Sequence, residues 1–162
     1  MQIQNPAIFQ GNLKKTSYFE GWYFKLADPT KNFVFAIIPG IALNRKRKYS
    51  HAFIQILNGI NANYHYIRFS ISSFKYNPQK FEIFIENNYF SAEKLDISIK
   101  TPEISLSGNL MFENLQKLPF HGISPGIMGP FSFIPKMECN HGIVSMNHQI
   151  EGYLTHKSRK ID

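Results

Sequence analysis

The sequence predicts one all-β domain, an antiparallel sheet rolled into a closed or nearly closed barrel around an aromatic-rich interior. Three observations carry this expectation. Apolar residues alternate with polar ones at period two along most of the chain, and no helical period is sustained. Turn-forming pairs punctuate the alternation at short intervals. Aromatic residues make up 15% of the 162-residue chain, with 15 Phe and 8 Tyr against a single Trp. Those rings supply the bulk that a barrel interior needs.

The first strand is expected at 18–26, where Glu20, Trp22 and Phe24 share one face and Gly21, Tyr23 and Lys25 the other. Asp28-Pro29 ends it. Strands at 32–38 and 50–57 follow, joined by Arg45-Lys46-Arg47-Lys48, which reads as a solvated hairpin loop. Asn58-Gly59 turns the chain into a strand at 64–71, and Asn77-Pro78 precedes the run 80–86. That run places Phe81, Ile83 and Ile85 on one face. After Asn87-Asn88, residues 94–100 set Leu95, Ile97 and Ile99 against Asp96 and Ser98. After Thr101-Pro102, residues 103–112 set Ile104, Leu106, Leu110 and Phe112 against Ser105, Ser107 and Asn109. Strict alternation implies one buried and one wet face. Residues 114–140 are rich in Gly and Pro yet also in Met, Ile and Phe. A flexible linker would be polar, so this stretch reads as a loop packed over a barrel mouth. A last strand is expected at 141–154. About eight strands in a meander must close or gain a second sheet to manage their edges. No repeat or boundary divides the chain, so residues 1–162 are read as one domain.

Net charge is +7, from 18 Lys and Arg against 11 Asp and Glu. The excess favours anionic partners. It concentrates in residues 45–48 and in Lys157-Ser158-Arg159-Lys160. Aromatics on alternating, buried faces argue against the exposed stacking platform of a nucleic-acid barrel, so no nucleic-acid partner is expected. Cys139 is the only cysteine, which excludes an intrachain disulfide and suits a reducing compartment. The N-terminal residues lack the apolar core of a signal peptide, and no apolar run is long enough to span a bilayer. The expected location is cytoplasmic, with room for peripheral membrane contact.

Two clusters carry the residues suited to chemistry. In the first, Tyr18 to Lys25, a carboxyl beside an indole in a dry pocket has a raised pKa and serves as a proton donor. The alternative makes Trp22 a core anchor and Glu20 a hydrogen-bonded rim residue. In the second, Met137 to His148, Glu138, His141, Ser145 and His148 lie in an otherwise apolar stretch. Their spacing fits no metal signature, and no nucleophile elbow of the G-x-S-x-G type is present. Neither a metal nor a cofactor is expected, and Cys139 reads as inert packing.

The segment Tyr18-Phe19-Glu20-Gly21-Trp22-Tyr23-Phe24-Lys25 resembles the N-terminal motif of tocopherol cyclase and its bacterial relatives. Met128-Gly129-Pro130-Phe131, then Pro135 to His141 and Ser145-Met146-Asn147-His148, resemble that family's second motif. The resemblance covers nearly the whole chain. It implies a lipocalin-like barrel, distantly similar to carotenoid hydratases and matching the first of two barrels. A homodimer, or pairing with a second barrel, would complete such a protein. Asn147 stands where plant members typically carry an acidic residue. The implied reaction is acid-initiated cyclisation of a prenylated quinol to a chromanol. Glu20 and Glu138 are the candidate acids, and His141, His148 and Ser145 are candidates for orienting the phenol. Trp22, Tyr23 and Phe24 would stabilise the cation, with Met128, Phe131 and Met146 beside the ligand. The alternative is a non-catalytic barrel that binds an isoprenoid, quinone or other hydrophobic ligand.

Overall fold

The computed structural model describes residues 5–118, 126–134, 140–156 and 159–161. These residues form twelve strands and three short 3-10 turns, with no α-helix among them. The all-β class is therefore as the alternation required. No helix among the described residues is long and apolar enough to cross a membrane.

The first sheet contains β1 (Tyr18–Gly21), β2 (Phe24–Ala27), β3 (Val34–Leu43), β4 (His51–Asn58) and β5 (Tyr64–Ser70), all antiparallel. β3 is its spine. β1 pairs with the second half of β3, Gly21 opposite Gly40, and β2 pairs with the first half, Phe24 opposite Ile37. The single strand expected at 18–26 is thus split at Trp22 and Tyr23. Pro39 is the cause, since it lies opposite the break and has no N–H to donate. Its carbonyl still accepts from the Trp22 backbone N–H at 3.0 Å.

The second sheet is a sequential meander of β6 (Phe74–Tyr76), β7 (Glu82–Ile85), β8 (Asn88–Ser91), β9 (Lys94–Lys100), β10 (Ser105–Gln116), β11 (Asn147–His156) and β12 (Arg159–Ile161). The chain passes between the sheets through the 3-10 turn Ile71–Ser73. The two inner faces meet in one core. Ile37, Ile54 and Ile56 come from the first sheet, and Ile85, Phe90, Leu95 and Leu106 from the second, all almost fully buried. Each such side chain contributes roughly 1.5–3 kcal/mol relative to exposure. Asn88 is the polar exception. Its amide donates to the Ile85 carbonyl at 2.9 Å and accepts from the Ser98 N–H at 2.8 Å, fixing the β7–β8 turn to β9.

Closure into a barrel is not seen. Neither sheet closes on itself, and no strand of one pairs with a strand of the other among the described residues. The second sheet ends in strands of only three residues, β6 and β12, which leaves few backbone groups to zip onto β5 or β2. The arrangement is two facing antiparallel sheets. The last long strand starts at Asn147 rather than at 141. The chain before it crosses the N-terminal segment, where a Cβ on Gly142 would collide with the Pro6 ring. The basic run 45–48 is exposed, and Arg47 opens a 3-10 turn.

Candidate functional site

Glu20 on β1 and Trp22, just past the end of that strand, both turn inward, and the chain's own N-terminal segment meets them there. The Trp22 side chain is 6% exposed. Its indole Nε1 donates to the Ala7 carbonyl at 2.7 Å. Its ring stacks on Phe81 at 5.7 Å and on Phe74 at 6.4 Å. The Glu20 carboxylate accepts from the Gln10 backbone N–H at 3.0 and 3.1 Å and from the Tyr18 hydroxyl at 2.6 Å. Burial pushes the Glu20 carboxyl above its ordinary value, and those hydrogen bonds with the nearby Lys15 only partly offset it. Burial, then Glu20 itself, pushes the Tyr18 phenol far up. The Lys15 ammonium sits 3.9 Å from the Tyr18 ring centre.

Phe9 completes this end of the core. Its ring lies 4.6–6.3 Å from those of Tyr18, Trp22, Phe74 and Tyr76. Ala7, Ile8 and Phe9 are all buried. The wall expected to face a ligand therefore faces residues 7–11. That strap was not legible beforehand, because consecutive apolar residues without periodicity announce no element.

A continuous line of rings links the two motif clusters. Phe24 stacks on Phe81 at 6.1 Å and on Phe112 at 5.7 Å and meets Phe90 at a tilt at 5.9 Å. Phe112 meets the His148 ring edge-on at 5.2 Å. His148 lies where the β10–β11 register shifts, between the pairs Glu113–Gln149 and Gln116–Asn147. Its Nδ1 is 3.3 Å from the Ser145 hydroxyl, which itself donates to the Asn147 carbonyl at 2.7 Å. Burial pushes the His148 pKa down, favouring the neutral ring. The other expected residues do not converge here. His141 is exposed, Tyr23, Phe131 and Met146 are 62–63% exposed, and Met128 is half-buried. Glu138 and Cys139 lie outside the described residues. Among the described residues no three His, Cys, Asp or Glu side chains are placed to hold a metal.

An opening into the core lies elsewhere. An apolar cleft of about 90 Å³ is lined by Leu26, Pro29, Phe33, Phe35, Leu110, Ile150, Gly152, Leu154 and Ile161. It sits where the β2–β3 turn faces β11 and β12. Asp28 is the acid at its rim, and hydrogen bonds from the Thr30 hydroxyl and the Phe33 N–H hold its carboxyl below the ordinary value. The one sequence signal for this cleft is Gly152. A glycine inside a strand pattern marks a bulge or a close approach. Gly152 has φ +121°, and a Cβ there would collide with the Asn109 carbonyl. Comparison with family models, with curated proteins and with solved structures finds no match to this chain.

Proposed function

We propose that this protein binds a hydrophobic ligand of the prenylated aromatic or isoprenoid class, as a lipocalin-like domain. The observation that carries the reading is the apolar cleft between the β2–β3 turn and β11, which opens directly onto the shared core. Apolar walls with one orienting polar group are the ordinary make-up of small-molecule sites, and at about 90 Å³ the cleft receives one end of such a ligand rather than the whole of it. Here that group is Asp28. The test is titration with a prenylated quinol, followed by calorimetry. Saturable binding that is lost in Ile150→Lys, with the fold retained by circular dichroism, is the expected result. Binding unaffected by Ile150→Lys would refute this placement of the site.

The cyclase reading has one observation in its favour. Glu20 is a desolvated carboxyl with a raised pKa, two residues before the buried Trp22. In that chemistry the acid protonates the side-chain double bond. The phenol oxygen then attacks the tertiary cation and releases its own proton, so the net change is an isomerisation. Three donor contacts on the carboxylate favour binding over catalysis, because a proton donor must first be free of them. Incubation with a prenylated quinol and a search for chromanol separates the two. Product formed by the wild type and absent with Glu20→Gln would establish the cyclase.

A further inference from the structure

The first sheet has a second aromatic face, on the side away from the core. Phe53 on β4 is fully buried without joining the main core. Its ring crosses Gly40, where a Cβ would collide with it, and stacks on Phe19 at 5.4 Å and Tyr66 at 5.2 Å. Phe19, Tyr23, Tyr64 and Tyr66 are 64%, 63%, 54% and 37% exposed. The polar residues among them are basic or neutral. Arg68 lies 3.0 Å from His51 Nδ1, and His51 Nε2 lies 2.7 Å from the Tyr66 hydroxyl.

Charge follows the same division. Residues 5–70 hold nine Lys or Arg and two acids, whereas residues 71–118 hold five and six. Neither acid of the first group shares this face. Glu20 turns inward and Asp28 sits in the β2–β3 turn. At one end of the sheet the Arg47 guanidinium donates to the carbonyls of Leu13 and Lys14, both at 2.8 Å. That contact holds Lys14 and Lys15 beside exposed Arg45, Lys46 and Lys48.

We propose that this face docks on an anionic lipid bilayer, with its rings at headgroup level and the cations over lipid phosphates. Exposed Tyr and Phe with a basic rim match the interfacial zone, apolar on one side and negatively charged on the other. Single-stranded nucleic acid fits less well. Bases need open ring faces to stack on, and Phe19 and Tyr66 each already have one face stacked on Phe53. A second copy of the same face would oppose cation to cation.

The test is sedimentation of the full chain with phosphatidylcholine vesicles, with and without phosphatidylserine. Co-sedimentation is expected only with phosphatidylserine, and salt should weaken it. Lys46→Gln and Lys48→Gln should each lower partitioning about fivefold. Tyr23→Ser with Tyr64→Ser should lower it further while leaving the circular dichroism spectrum unchanged, since both side chains are exposed. Equal binding to neutral vesicles, or none to anionic ones, would overturn the proposal. So would tighter binding to an oligouridylate than to vesicles, or a dimer that the two tyrosine substitutions abolish.

Discussion

Replacing Phe9 by Ala tests whether the N-terminal strap is part of the core or merely lies on it. Phe9 is 7% exposed and touches four rings, with Tyr76 the nearest at 4.6 Å. Buried Phe→Ala substitutions cost about 3–5 kcal/mol when the site cannot collapse. This site has a limit that an interior one lacks. Besides Phe9, the strap is held by the Trp22–Ala7 hydrogen bond and the Gln10 contact with Glu20. Once the loss exceeds the free energy of docking, the strap detaches and the loss stops growing. We therefore expect about 3 kcal/mol, the lower end of that range. With a urea slope of roughly 1–3 kcal/mol/M, the midpoint should fall by about 1–3 M. Trp22 is the only tryptophan, so its emission reports this end of the core alone. Unfolding should be followed by both emission and circular dichroism. In the variant the emission should shift red before the backbone signal changes, because detachment wets the indole first. An unshifted emission and an unchanged midpoint would refute the strap's role.

Three further outcomes follow from the same geometry. Burial holds the Glu20 carboxyl above its ordinary range, so the folded state binds that proton more tightly than the unfolded chain. The stabilisation is complete below the unfolded carboxyl value, about 4.3, and is lost as pH rises through the folded value; Glu20→Gln should lack this step, and parallel midpoint-against-pH curves would contradict it. Asn88→Ala strands the Ile85 carbonyl in a buried site and the Ser98 N–H in a partly buried one, at about 1–3 kcal/mol for the buried group; chemical denaturation reads the loss, and a loss below 1 kcal/mol would argue that water replaces the amide. Gly40→Ala forces the added methyl against the Phe53 ring and the Glu20 carbonyl, so it should lower the melting temperature and disturb the near-ultraviolet aromatic signal; an unchanged spectrum would mean that Phe53 does not lie across Gly40.

The strands were legible wherever one face is wet. β9 and β10 alternate cleanly because Asp96, Ser98, Ser105 and Ser107 face away from the core. Alternation gave no warning at Ala52-Phe53-Ile54, where three consecutive residues are buried. There both sheet faces are covered, one by the core and one by Phe19 and Tyr66. β6, β8 and β12 were missed because three or four residues carry too few alternations to read. That Glu20 and Trp22 share a face followed from parity alone. What they would face did not, since that depends on a strap whose contacts are remote in sequence. The cleft was hidden for a related reason. Its walls are ordinary core residues, and only their juxtaposition at the sheet ends makes an opening.

The single crossing at Ile71–Ser73 has a consequence for how the molecule is assembled. Every strand of the first sheet precedes it and every strand of the second follows it. Among the described residues, a cut in that turn would sever no ladder of backbone hydrogen bonds. Among the described residues the two pieces meet through side chains, by the fit of one inner face against the other. The chain is thus divisible at one point into two self-paired halves, a natural place to split it for fragment complementation.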